Sequence, residues 1–155
     1  MNQSRREALK TGGGLGLFGL LVAAGLIKPE VAQAAWNKSA FDAKTMEEAL
    51  KALGASDMTE SGDVVLTAAD IAENGAVVPV GVTSNLPGTQ QIAILVEKNP
   101  NMLAATFTIP EGTIADIQTR VKMGQTSNVF AVVKSGDKFF MTKKEIKVTL
   151  GGCGG

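Results

Sequence analysis

From Asp63 onward, apolar residues fall on every second position in seven short runs, each closed by a turn signal. The runs are Val64 and Leu66; Val78, Val80 and Val82; Ile92, Ile94 and Val96; Leu103, Ala105, Phe107 and Ile109; Ile117, Thr119 and Val121; Val129, Ala131 and Val133; and Ile146, Val148 and Leu150. Glu73-Asn74-Gly75, Asn85-Leu86-Pro87-Gly88, Asn99-Pro100-Asn101, Pro110-Glu111-Gly112 and Ser135-Gly136-Asp137 punctuate them. A period of two sends alternate side chains to opposite faces of a strand, so each run has one face to bury. Short strands with turn signals about every 10 to 12 residues predict an immunoglobulin-like antiparallel β-sandwich. Pro79, which has no amide hydrogen, implies an edge strand or a bulge in its run.

Ahead of the strands, Thr45-Met46-Glu47-Glu48 has the spacing of a capping box. Met46, Ala49, Leu50 and Leu53 follow on one face, and Gly54 supplies the left-handed stop. Trp36 and Phe41 suggest an earlier helical turn. The class is therefore mainly β with a short N-terminal helical segment, expected to pack across one end of the domain. Residues 35–150 form this domain, with no repeat and no second domain.

Composition removes most familiar chemistry. There is no histidine, which excludes Ser-His-Asp triads, imidazole bases and His-containing metal sites. The single cysteine, Cys153, excludes an internal disulfide and any cluster of thiolates from this chain alone. Asp63, Asp70, Glu73 and Glu97 lack ligand spacing and read as solvated turn carboxylates rather than a metal or acid–base set. Lys143, Lys144 and Lys147 read as the guarded edge of a strand in preference to an anion site. Met46, Met58, Met102, Met123 and Met141 are scattered, as core filling rather than a copper site. No catalytic residue, metal or cofactor is expected of the body.

The two ends are different. The chain has 18 glycines, six of them in residues 1–34 and four in the last five positions. Arg5 and Arg6 precede a glycine-diluted apolar stretch over residues 15–27, and Ala32 and Ala34 form a small-x-small cleavage site. Thirteen residues at about 1.5 Å each cannot span a hydrocarbon core of about 30 Å. Residues 1–34 thus read as a twin-arginine signal peptide cleaved after Ala34, although Ala8 stands where that motif usually has phenylalanine. The expected location is the periplasm, with no membrane association after processing. The signal contains Arg5, Arg6, Lys10 and Lys28 against Glu7 and Glu30; its loss from a chain with 15 residues of each sign leaves a formal charge of −2. Without a basic stripe, nucleic acid is not an expected partner. A route that moves folded proteins implies a cofactor or a partner bound beforehand, and this composition favours the partner.

At the other end stand Gly151, Gly152, Cys153, Gly154 and Gly155. Glycines lose the most entropy on ordering, so residues 151–155 are expected to form a mobile carrier arm. Three extended residues beyond Leu150 carry the thiol roughly 10 Å from the surface. So slender a segment fits a narrow channel and presents one sulfur to a buried site. An incidental free thiol in an oxidising compartment is disfavoured. Prenylation needs three residues after the cysteine, and a lipobox needs a cysteine at the signal cleavage site.

These features resemble the SoxY family, the sulfur-carrier subunits of the periplasmic Sox thiosulfate-oxidation system. The resemblance rests on the twin-arginine signal, Ala35-Trp36-Asn37-Lys38, Glu73-Asn74-Gly75-Ala76-Val77-Val78-Pro79-Val80, Thr119-Arg120-Val121-Lys122-Met123, Ala131-Val132-Val133-Lys134, Lys147-Val148-Thr149-Leu150 and the closing Gly-Gly-Cys-Gly-Gly. It implies that Cys153 is the substrate-attachment point and that the partner is a SoxZ-like subunit in a heterodimer, co-exported as a prefolded pair. It further implies a haem-containing thiosulfate-conjugating enzyme (SoxAX-like), a sulfate-releasing hydrolase (SoxB-like) and, where present, a sulfane dehydrogenase (SoxCD-like). The chain itself would be a carrier, not an enzyme. No basic residue adjoins Cys153 in sequence, and a terminal carboxylate two residues away would raise its pKa, so activation is expected from the partner's site.

Two other readings compete. A ubiquitin-like carrier also ends in Gly-Gly and holds sulfur as a thiocarboxylate, but it needs ATP-dependent activation in the cytoplasm and a different fold. A structural sandwich protein could instead dimerise through Cys153.

Overall fold

The computed structural model describes residues 37–55 and 57–149. The signal, with Arg5 and Arg6, and the segment from Leu150 through Gly151, Gly152, Cys153, Gly154 and Gly155 lie outside the described residues.

Two helices open the described chain, α1 (Lys38–Asp42) and α2 (Met46–Leu53). The Asn37 side chain caps α1 by accepting from the Ala40 amide. The capping box of α2 is formed on both sides: Thr45 Oγ1 accepts from the Glu48 amide, and Glu48 accepts from the Thr45 amide. The Lys44 amide also donates to Glu48, which holds that carboxyl below its ordinary pKa. Gly54, at φ 76°, ends α2 as the left-handed cap.

Nine strands follow: β1 (Met58–Glu60), β2 (Val64–Thr67), β3 (Ile71–Ala72), β4 (Val78–Ser84), β5 (Thr89–Val96), β6 (Leu103–Thr108), β7 (Asp116–Val121), β8 (Ser127–Ser135) and β9 (Lys138–Val148). Each of the seven alternating runs falls on a strand within the described residues, Ile109 lying just past the end of β6, and β1 and β3 are additional. The strands make two sheets, one ordered β1-β9-β8-β5-β6 with β3 also on β9, the other β2-β4-β7. Pairing is antiparallel except where β1 and β3 each run parallel to β9. The molecule is therefore the mainly β sandwich with a short N-terminal helical segment that the periodicity predicts.

Its core has two parts. Val80, Val82, Ile92, Ile94, Val129, Val133 and Ile146 fill the space between the sheets. On the other face of the larger sheet, Ala93, Leu95, Leu103 and Val132 pack against Ala40, Ala43, Ala49 and Ala55 of the helical segment. The helices thus cover a sheet face, not one end of the domain. The reason lies in β5, where five consecutive residues from Ile92 to Val96 are buried. A strand apolar on both sides needs a layer on both sides.

Pro79 also departs from expectation, because β4 is the middle strand of its sheet. β2 pairs only with Gly81, Val82, Thr83 and Ser84, whereas β7 pairs from Val78 onward. Pro79 therefore has one neighbouring strand, and its missing amide hydrogen interrupts no three-stranded ladder.

The root of the Gly-Gly-Cys-Gly-Gly segment

The described chain ends where β9 runs out towards Cys153, and the construction of that exit is the candidate functional site. β9 begins at a tight hairpin whose Gly136 takes φ 58°, then pairs with β8 from Lys138 to Ile146. Beyond β8, a second set of contacts takes over. Ile71 lies opposite Lys147 and Ala72 opposite Val148. The Lys147 amide donates to the Asp70 carbonyl at 2.9 Å, and the Thr149 amide donates to the Ala72 carbonyl at 3.1 Å. From the other side, the Val148 amide donates to Thr126 Oγ1 at 3.0 Å. Consecutive amides are thus held to the domain up to Thr149, four residues before Cys153.

Gly75 closes this root from behind. Its carbonyl accepts from the Met123 amide at 2.7 Å. A Cβ at this position would stand 2.4 Å from the Met123 carbonyl oxygen and 2.8 Å from Val148 Cγ1, so no side chain fits. Asn74 shapes the turn, its Oδ1 accepting from the Ala76 amide and its carbonyl from the Val77 amide. Asn99 secures the facing loop by donating to the Lys122 carbonyl at 2.7 Å. The Glu73-Asn74-Gly75 turn and the Lys122–Met123 pair, far apart in sequence, meet beneath Val148.

Electrostatics at the root are local. Lys144 Nζ stands 2.9 Å from Asp70 and also donates to the Ala68 carbonyl. The hydrogen bond from Lys144, reinforced by its charge, holds the exposed Asp70 carboxyl below its ordinary pKa. This pair closes the stretch of β9 between β1, whose partners end at Met141, and β3, whose partners begin at Lys147. The edge strand expected for Lys143, Lys144 and Lys147 is therefore not found: β9 lies inside its sheet, with β8 on one side and β1 and β3 on the other, Lys147 is paired with Ile71, and Lys144 fills the gap between β1 and β3. The four acidic candidates do not converge: Asp70 pairs with Lys144, and Glu97 accepts from Asn128 Nδ2. Among the described residues no three acidic or thiol side chains come together to hold a metal. Met123 is buried between the sheets, and Met46, Met58 and Met141 pack on the helical side. Among the described residues no helix is long and apolar enough to cross a membrane.

The model of the sulfur oxidation protein SoxY matches residues 49–153, from the middle of α2 to the cysteine. The chain belongs to the SoxY family. A solved structure of the sulfur carrier protein SoxY from Chlorobium limicola f thiosulfatophilum is 33% identical, covering 74% of this chain and 100% of that one, with a TM-score of 0.63. Two other solved chains are too distant to bear on fold or function. One, from a study of T cell activation by the bacterial superantigen toxic shock syndrome toxin-1, is 12% identical over 56% of this chain and 99% of its own, with a TM-score of 0.39. The other, the human F-spondin reeler domain, is 11% identical over 60% and 94%, with a TM-score of 0.40. Comparison with curated proteins gives no match. At the root of the tail, the feature that the sequence pattern does not show is β3. Two residues are too few to show a period, yet they anchor the strand leading to Cys153.

Proposed function

We propose that this protein is a covalent sulfur-substrate carrier of periplasmic thiosulfate oxidation, with Cys153 as the attachment point and residues 151–155 as its arm. The observation that carries the reading is the SoxY match, which runs to the only cysteine of the chain, four residues past Thr149, whose amide is held by the domain. Residues 1–34 serve as a twin-arginine signal, and the mature domain, residues 35–150, is exported with a SoxZ-like subunit already bound.

In the proposed cycle the Cys153 thiolate and thiosulfate form an S–S bond, giving a cysteine S-thiosulfonate. The two electrons released pass to the haem-containing conjugating enzyme. Water then attacks the terminal sulfonate in a SoxB-like hydrolase, releasing sulfate and leaving a persulfide on Cys153. A SoxCD-like dehydrogenase, where present, takes six electrons from the remaining sulfane as water supplies three oxygens, giving a cysteine S-sulfonate, and a second hydrolysis releases sulfate and returns the thiol. This chain supplies attachment and positioning. No basic residue adjoins Cys153 in sequence, so the thiolate is generated in the enzyme that receives it.

Cys153→Ser tests the reading. It is expected to abolish thiosulfate oxidation by the reconstituted system while leaving unfolding and partner binding unchanged. Retained oxidation refutes it.

A further inference from the structure

Four large apolar side chains are exposed among the described residues: Val65, Ile71, Val77 and Ile114. Two of them, Ile71 (56% exposed) and Val77 (48%), belong to the short segment stitched to the root of the tail. Ile71 lies directly opposite Lys147 in register, and its neighbour Ala72 accepts from the Thr149 amide. In β3 alternation turns Ala72 into the core and Ile71 towards solvent, a place where a polar residue would serve folding equally well. Val77 follows the turn built around Gly75, which lies against Val148. Glu73 and Lys147, both exposed and opposite in charge, neighbour Ile71, the first in sequence and the second in register.

The tether decides what must cover it. From Thr149, the last described residue and one held by the domain, to Cys153 the chain spans at most about 14 Å when fully extended. An enzyme that draws the Cys153 sulfur into an enclosed reaction centre therefore has to bring the mouth of that centre against the residues around Thr149. Ile71 is among the nearest of these. An apolar centre with a polar, charge-balanced margin is the make-up of a transient protein contact.

We infer that Ile71 and Val77 form the docking collar for the enzyme that loads Cys153, seated against an apolar rim around that enzyme's channel. The inference rests on the carrier reading and adds to it a recognition surface on the folded domain. The collar supplies affinity, and the tail supplies reach.

The test is initial-rate loading of Cys153 with thiosulfate by the haem-containing conjugating enzyme, using the full-length protein with its partner subunit. The double variant Ile71→Asp, Val77→Asp should raise KM for the carrier about tenfold or more with kcat little changed. The milder pair Ile71→Thr, Val77→Thr should give a smaller rise of the same kind. Ile114→Asp is the control: Ile114 precedes β7 at the end opposite Met123, and its substitution should leave KM unchanged. Unfolding midpoints and the rate of Cys153 with a small disulfide reagent should be the same throughout. An unchanged KM in the double variant, or an equal rise in Ile114→Asp, overturns the collar. If the enzyme fails to load even the wild-type protein, the carrier reading is refuted and the collar falls with it.

Discussion

Replacing Gly75 by alanine adds one methyl group at the root of the tail, and its cost can be worked from the geometry. The added Cβ would stand 2.4 Å from the Met123 carbonyl oxygen and 2.8 Å from Val148 Cγ1, against ordinary contacts of 3.4–4 Å. The backbone oxygen cannot rotate aside as a flexible side chain can, so the 74–76 turn has to withdraw by about 1 Å in a closely packed interior. That stretches the 2.7 Å bond from the Met123 amide to the Gly75 carbonyl beyond hydrogen-bond range. Overpacking costs about 1–3 kcal/mol and the lost bond about 0.5–1.5, so Gly75→Ala should destabilise the domain by about 2–4 kcal/mol. With a urea slope of about 2 kcal/mol/M for a domain of this size, the unfolding midpoint should fall by about 1–2 M. Amide exchange should quicken most at Met123, Val148 and Thr149. Gly124→Ala, in the facing loop, meets nothing within 4 Å and should change stability by no more than about 0.5 kcal/mol. If both variants unfold at the same urea concentration as the wild type, the account of the root is wrong.

Other expectations concern packing, charge and reach. Leu95→Ala, on the fully buried helix-facing side of β5, should cost about 2–5 kcal/mol in urea unfolding; a loss under about 1 kcal/mol would mean that the helices do not seal that face. The Asp70 carboxyl should titrate by carbon NMR below the ordinary aspartate value, and Lys144→Met should raise its midpoint. Because a depressed folded-state pKa favours the native state only while the group is ionised, the contribution of Asp70 should fade as pH falls through that midpoint, and an unshifted midpoint in Lys144→Met contradicts the assignment. Valine at both Gly152 and Gly154 should slow enzymatic loading of Cys153 without changing its rate with small thiol reagents; equal turnover would show that slenderness is not required.

The sandwich was legible because its strands are half-buried, so burial writes a period of two into the sequence. Val78, Val80 and Val82 on one sheet and Val129, Ala131 and Val133 on the other all turn into the space between them. The capping box and Gly54 were equally plain, since both depend on residues close in the chain. The third layer was written less openly. Ile92 to Val96 is apolar without a break, the mark of a strand buried on both faces, but the alternating subset Ile92, Ile94 and Val96 satisfies a period of two and conceals it. The root of the tail was the least legible part. β3 is two residues long, its partner lies 76 positions away, and the pairing is parallel. Gly75 stands in a turn signal, where glycine has an ordinary local explanation, while its need here comes from the Met123 carbonyl and Val148, which only the fold brings near. Cys153 stood out for a different reason: it is the single thiol of the chain and is set among glycines.

The central claim is that substrate sulfur travels on that thiol. Intact-mass and peptide mass spectrometry of the protein taken from thiosulfate-oxidising cells tests it most directly. The account predicts thiosulfonate and sulfane adducts confined to the peptide bearing Cys153, discharged when the sulfate-releasing hydrolase is added. A thiocarboxylate on Gly155, or a Cys153 disulfide dimer with no sulfur adduct, would contradict it.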